Sequence, residues 1–400
     1  MYGKNQLEVK CQNLEAIRRT LYRSAPISRA QLAKVLHLTP ATITNLVTGM
    51  IENGEVQELP CGLETEKSSG RKPIAIDLIP GRYTVFGVSL GRDETRWCIT
   101  DMRGQILVCG TAPLMSEDYD AMLSQLNKLL RSVRTQYKKE WAGLLGIGLV
   151  VPGIVDSHAG VIRNHGAERI SWVDQPLSED IAAMTGLPVR MDNNVRARAC
   201  AIDIFHPKLR EDSDSYAFCH VSWGIACPLV LGERTFRGED AAAGEMGKMK
   251  MLTDENEVGT LESLASADSI LHTCRDRIRM GEETILTDLC PNPDDLRIHH
   301  VNAAQEKGDK LACQVLAKAM YYIGIALANI INIIDPHLVF LSGEVFKSET
   351  NVAVVKKTLM EQAFLPKGNG PRVVPVDFGD WGGAIGAAAC CIEKHYIRKK

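Results

Sequence analysis

The chain has 400 residues, 45% hydrophobic and 24% charged, with a formal charge of −3 and 12 cysteines. That length exceeds one ordinary domain, and the composition excludes a disordered or collagen-like chain. No cysteines stand at C-x-x-C spacing, "MYGKNQLEVK" has no apolar signal core, and no apolar run reads as a membrane span; a soluble cytoplasmic protein with free thiols and no membrane partner is expected.

Charge is uneven along the chain. Residues 1–50 hold seven Lys/Arg against Glu8 and Glu15, a balance of +5, so the other 350 residues carry −8. A basic head on an acidic body points to a polyanion partner for the head alone. Leu14, Ile17 and Leu21 mark the inner face of a first helix that breaks at Pro26. Ser28 and Gln31 form a capping-box pattern opening a second helix, and "HLT" is a turn into a third, with Thr39 as N-cap and Pro40 at its first position.

In the third helix Ile43, Leu46, Val47, Met50 and Ile51 share one face, which turns Ala41, Asn45 and Thr48 outward, flanked by Thr42 and Thr44. Small outer residues let a helix enter the major groove, where Asn pairs with adenine and Thr reaches base or phosphate. Two strands follow, in "NGEVQELP" and "SSGRKPIAIDL", and the loop between them is a wing offering Lys67, Arg71 and Lys72 to phosphates. Residues 1–80 are therefore expected to bind double-stranded DNA, with Ser28, Arg29, Thr39, Ala41, Thr42, Thr44, Asn45, Thr48, Lys67, Arg71 and Lys72 as contacts. The competing reading is a small helical protein-interaction module.

From residue 83 the pattern alternates strands and helices: "YTVFGVSL", "TRWCITDM" and "GQILVCGTA", a helix at about 117–138, then "GLLGIGLVV". Beyond "PGIVD" come a loop, a helix at 177–185, "LPVRM" and a helix opened by "DNN". Later strands are "SYAFCHVSW", "CPLVLG", "HLVFLSG" and "RVVPVDF", with helices near 259–282, 309–334, 351–363 and 382–398. Two halves of this kind predict a two-lobed α/β body, residues 81–400, with lobe I at about 81–193 plus 381–400 and lobe II at about 194–380.

"SRAQLAKVLHLTPATITNLV", "SGRKPIAIDL", "GIGLVVPGIVD", "LPVRMDNN", "RGEDAAAGEMG" and "NIINIIDPHLVFLSG" resemble, in that order, the segments of the repressor/open-reading-frame/kinase (ROK) family. The resemblance implies a winged helix-turn-helix on an actin-like ATPase (ribonuclease H-like) sugar-kinase fold, found in sugar kinases and in sugar-responsive repressors that carry the head. It also implies that catalysis is lost. Where the kinases have D-x-G-G-T, "SLGRD" places Ser89, Arg92 and Asp93; where they have G-T-G-I-G, "SWGIA" retains Gly224 and inserts Trp223. Asn194 stands at the position of the catalytic Asp, and an amide has no useful basicity near neutral pH.

The family's zinc ligands fall on Lys248, Thr253, Glu255 and Thr260, which are not a zinc set, so neither metal nor cofactor is expected. Glu245, Glu262, Asn193, Asn194 and Gly153 remain as the implied ligand-contacting positions, joined by Lys248, which either meets a ligand's hydroxyls or anionic group or pairs with Glu245. Arg196 and Arg198 read as anion contacts or ordinary exposed helix arginines, and Trp172 as a border of the sugar loop or core. The expectation is a repressor of carbohydrate genes, not an enzyme, acting as a homodimer on an operator and answering a sugar or sugar phosphate. Two rivals stand beside it: an active sugar kinase, and a regulator whose body only dimerises or docks a protein. The apolar helix "LACQVLAKAMYYIGIALANIINII" reads equally as dimer interface or core.

Overall fold

The computed structural model describes residues 6–60, 74–164, 170–210, 213–253, 256–365 and 368–399. Contacts divide it into two units, Met1–Glu211 with Asp380–Lys400, and Asp212–Gly379. The first unit begins with helices α1 (Gln6–Ser24), α2 (Arg29–Leu36) and α3 (Pro40–Glu52) and a three-stranded sheet. That sheet pairs β1 (Ile27–Ser28) and β2 (Val56–Leu59) on either side of β3 (Ala75–Leu78), all antiparallel. The loop carrying Lys67, Arg71 and Lys72 lies outside the described residues.

Next come β4 (Thr84–Leu90), β5 (Glu94–Asp101), β6 (Ile106–Pro113), α4 (Tyr119–Gln136), α5 (Lys138–Ala142) and β7 (Leu144–Val151). A hairpin, β8 (Ile154–Asp156) and β9 (Val161–Asn164), occupies the stretch read from sequence as a loop. Then α6 (Leu177–Thr185), β10 (Val189–Asn193) and α7 (Asn194–Phe205) complete this run.

The second unit holds β11 (Tyr216–Val221), β12 (Ile225–Ala226), β13 (Leu229–Leu231), β14 (Arg234–Phe236), β15 (Lys250–Leu252) and β16 (Val258–Thr260). Helices α8 (Leu261–Ala265), α9 (Ala267–Arg279), α10 (Leu286–Leu289), α11 (Ile298–Glu306) and α12 (Lys310–Ile334) follow. It closes with β17 (Leu338–Ser342), α13 (Glu349–Gln362) and β18 (Arg372–Val376). The chain then returns to the first unit as α14 (Gly382–Ile392), which ends in one π-helical turn, Glu393–Ile397.

The two main sheets repeat one topology. In the first, the order β10-β7-β4-β5-β6 joins an antiparallel meander to two parallel strands. In the second, β14-β13-β11-β17-β18 does the same. Parallel neighbours need crossover connections, and helices supply them. On the first sheet Phe86, Val88, Trp97 and Ile99 pack with Met122, Leu126, Leu130 and Val133 of α4. The other face receives α14, whose run "GGAIGAAACC" is small because backbone meets backbone there. A Cβ on Gly87 or Gly148 would overlap the carbonyl oxygens of Ala384 or Ala387. α14 also packs on α7, which groups residues 194–211 with the first unit.

In the second unit the inner residues of β11 and β17 are covered by α12. Contrary to the sequence reading, α12 is long and apolar enough to cross a membrane, the one such helix among the described residues; 67% of its apolar window is buried, which makes it a core helix. Fourteen of its residues, Leu311 to Ile331, are buried within this unit. Core burial therefore accounts for most of its apolar surface.

Candidate nucleic-acid interface and ligand-contact residues

Two of the head's three helices, α2 and α3, are started by side-chain caps whose hydrogen bonds span three residues. Ser28 Oγ accepts from Gln31 N at 3.2 Å while Ser28 N donates to Gln31 Oε1 at 3.0 Å, so both halves of the capping box are present. His37 ends α2 in the left-handed region, φ 52°, and Thr39 Oγ1 accepts from Thr42 N at 3.2 Å to start α3. Ile43, Val47 and Met50 are buried, whereas Ala41, Thr44, Asn45 and Thr48 are exposed.

Geometry sorts the residues singled out in the head. Ser28 is buried and its hydroxyl serves the cap. Arg29 is paired with Glu58 of β2 at 2.6 Å. Thr42 Oγ1 lies 2.9 Å from Thr39 Oγ1, and Thr44 Oγ1 donates to Pro40 O at 2.8 Å. Asn45 and Thr48 make no side-chain hydrogen bond to the described residues, so their polar groups are unspent. On an exposed helix face, that leaves them available to base edges.

A junction that sequence reading missed ties the head to the π-helical turn within the first unit. Arg18 of α1 donates from Nε and Nη2 to Glu55 Oε2 at 3.1 and 3.0 Å, and from Nη2 to Oε1 at 3.3 Å; both residues are buried. The guanidinium carbon sits 5.0 Å from the ring centre of Tyr396, and Tyr22 meets that ring edge-on at 6.3 Å. Burial first, then each other's proximity, raises the Tyr22 phenol; burial likewise raises that of Tyr396. Arg103 pairs with Asp77 and lies over Tyr22, while Arg398 pairs with Glu393 at 2.8 Å. Arg18 directly follows a core residue, Ile17, yet nothing local announces a partner 37 positions away.

In the first unit, Asn193 is the N-cap of α7. Its Oδ1 accepts from Val195 N at 2.8 Å and Arg196 N at 3.1 Å, and Nδ2 donates to the carbonyl of Gly153 at 2.8 Å. Gly153 has φ 94°, a left-handed conformation suited to glycine. Most of the Asn193 amide is thus spent on holding the "PGIVD" loop to α7. The side chain of Asn194, half-buried, has no hydrogen-bond partner among the described residues.

Arg196 is not an exposed helix-face residue. It is buried, with Nε 2.8 Å from Asp192 Oδ1 and Nη2 donating to Val155 O at 2.6 Å. Trp172 is core, and its Nε1 donates to Ser116 O at 3.1 Å.

In the second unit Glu262 opens α8. One carboxylate oxygen, Oε1, is 2.9 Å from Lys248 Nζ, and the other accepts from Ile225 N at 3.4 Å. Methyl groups on Gly224 or Gly247 would come within 2.8 and 2.9 Å of Oε2, so the glycine retained in "SWGIA" is one that lets the carboxylate seat against backbone. Lys248 therefore pairs with Glu262 and not with Glu245, because the β15–β16 hairpin brings it over the start of α8. Glu245 is half-buried in the same unit, and Trp223 is 39% exposed. Glu255 lies outside the described residues; Thr253 and Thr260 serve the hairpin turn and the α8 cap.

A winged helix-turn-helix head followed by an α/β body of the actin-like, ribonuclease H-like sugar-kinase fold is the class these elements define. The chain belongs to the ROK family, which it matches over residues 85–394. It is 26% identical over 398 residues to a putative xylose repressor of Caldicellulosiruptor sp. (strain Rt8B.4), spanning 97% of each chain. Its fold superposes with a TM-score of 0.82, at 24% identity and 98% coverage of both chains, on a ROK family transcriptional regulator described as a homologue of the E. coli MLC protein. A ROK glucokinase of Streptomyces griseus, solved with glucose and AMPPNP, superposes at 0.64 and 20% identity, covering 76% of this chain and 98% of its own.

Proposed function

We propose that this chain is a sugar-responsive transcriptional repressor, working in the cytoplasm as a homodimer whose heads bind an operator in double-stranded DNA. The observation that carries this reading is the capped α2–α3 turn, which presents Asn45 and Thr48 with unspent polar groups on an exposed helix. Likeness over 97% of the length of a putative xylose repressor supports it, whereas the glucokinase likeness covers 76% of this chain. The ligand-contacting residues are Gly153, Asn193, Asn194, Glu245, Lys248 and Glu262. Ser89, Arg92 and Asp93 at the phosphate loop, Trp223 at the second cradle, and Asn194 in place of a carboxylate base support a body that binds a sugar without phosphorylating it. A ligand that favours one arrangement of the body alters the spacing of two heads and so their joint DNA affinity.

Fluorescence anisotropy with a promoter fragment and random duplex tests the head. Asn45→Ala should weaken specific binding about 10- to 100-fold and non-specific binding hardly at all. Equal losses on both duplexes would show that Asn45 does not read bases. Retained carboxylates at Glu245 and Glu262 favour a second reading, an active kinase, which sugar-dependent ADP release would establish.

A further inference from the structure

Cys98 of β5 and Cys109 of β6 stand directly opposite each other in an antiparallel ladder. The phase of the ladder fixes which kind of pair they form. Gly91 N donates to Glu94 O at 3.1 Å across the β4–β5 turn. Backbone polar groups alternate along a strand, so Glu94, Arg96 and Cys98 bond toward β4, and Thr95 and Trp97 toward β6. Cys98 and Cys109 are thus a non-hydrogen-bonded pair, the closer kind, whose Cα atoms approach to about 4.5 Å. That lies inside the span of about 4.4–6.8 Å that a disulfide bridges.

The two residues share a face of the sheet but differ in access. Gly87 is the partner of Cys98 on β4, and a Cβ there would meet Ala384 of α14. Cys98 therefore points to the face that α14 covers, and it is fully buried. β6 is the outermost strand of the sheet, and its residues on this face, Leu107, Cys109 and Thr111, are exposed. Of the eleven cysteines described, Cys109 alone is exposed. Burial first, then the neighbouring Cys109, pushes the Cys98 thiol up to about 12, so near neutral pH it stays protonated while a reagent meets Cys109.

We propose that Cys109 and Cys98 form a reversible redox site, in which a hydroperoxide oxidises Cys109 and Cys98 resolves it to a cross-strand disulfide. In the first step an S–O bond forms at Cys109, the peroxide O–O bond breaks, and the thiol proton leaves with the departing oxygen as water or an alcohol. The Cys98 sulfur then attacks the Cys109 sulfur, the S–O bond breaks, and the Cys98 proton leaves with the hydroxide as water. Two thiols lose two electrons and one peroxide gains them; two equivalents of a small thiol reverse the change. A resolving thiol on the adjacent strand captures the sulfenic acid before further oxidation. In a reducing compartment such a bond is transient and reports peroxide. The site goes beyond the proposed repressor and is independent of it, since its readout is covalent and needs neither DNA nor sugar.

The test is peptide mass mapping of the full-length reduced chain, alkylated in its native state before and after hydrogen peroxide. Before oxidation, Cys109 should alkylate at least about 10-fold faster than Cys98. Afterwards the two should be recovered as one linked pair lacking two hydrogens, which dithiothreitol separates. Cys109→Ser should abolish the pair and leave Cys98 a thiol. Cys98→Ala should stop the reaction at the Cys109 sulfenic acid, raising its capture by dimedone at least about 10-fold over the parent. If Cys98→Ala does not fold, phenylarsine oxide on the native, unaltered chain takes its place: a bridging arsenic should protect both thiols when the chain is then unfolded and alkylated.

Cys109 linked to another cysteine or to a second chain overturns the inference, as does Cys109 oxidised past the sulfenic acid while Cys98 stays free. Equal alkylation of the two thiols in the native chain, or arsenic protection of one without the other, also overturns it.

Discussion

Replacing Arg18 by Met should unfasten the head from the π-helical turn. The guanidinium makes three hydrogen bonds of 3.0–3.3 Å to Glu55, and the two side chains are only 6% and 9% exposed. Removing one partner of such a pair strands the other charge, at a cost of about 3–5 kcal/mol. The lost contact with the Tyr396 ring adds about 0.5–1 kcal/mol. Native-state hydrogen exchange on peptides from α1 and residues 55–60 reads this locally, and protection should fall by at least about 100-fold. Because the stranded carboxylate is the main cost, Arg18→Met with Glu55→Leu should recover about 1–3 kcal/mol relative to Arg18→Met alone. A protection change under about fivefold, or no recovery in the double variant, would refute the reasoning.

Gly148→Ala should be among the most damaging single-methyl additions, by about 3 kcal/mol or more, since its Cβ would overlap backbone of α14; circular dichroism melts check it. Lys248→Met should leave the melting temperature within a degree or so, because Lys248 is 62% exposed, while changing the melting shifts that a sugar panel induces by freeing Glu262. Burial pushes the His206 and His395 imidazoles down. The unfolded chain then takes up protons at the ordinary pKa of about 6.5 while the folded chain resists, so stability is full above about pH 7 and declines as pH falls through that range. His395→Gln should flatten the melting temperature between about pH 7.5 and 5.5; an unchanged slope would assign the decline elsewhere.

Features legible in the sequence are those settled within a few residues or by simple periodicity. Ser28 with Gln31 and Thr39 with Pro40 start their helices through bonds spanning three positions, and the stripe Ile43, Val47, Met50 follows from the helical repeat. The strands β4 to β7 were legible as apolar runs, and the family resemblance supplied how they assemble. Tertiary structure decided which polar groups are spent. Asn193, implied as a ligand contact by the resemblance, is also the cap of α7, bonded to Val195, Arg196 and Gly153, 40 residues distant in the last case. Lys248 chose Glu262 over Glu245 because a hairpin folds it there, and Arg196 is buried against Asp192 while Arg198, two residues on, meets no carboxylate among the described residues. Charge and side-chain type are written locally, whereas the identity of a partner depends on which distant backbone segments packing brings within 3 Å; no short-range pattern encodes that.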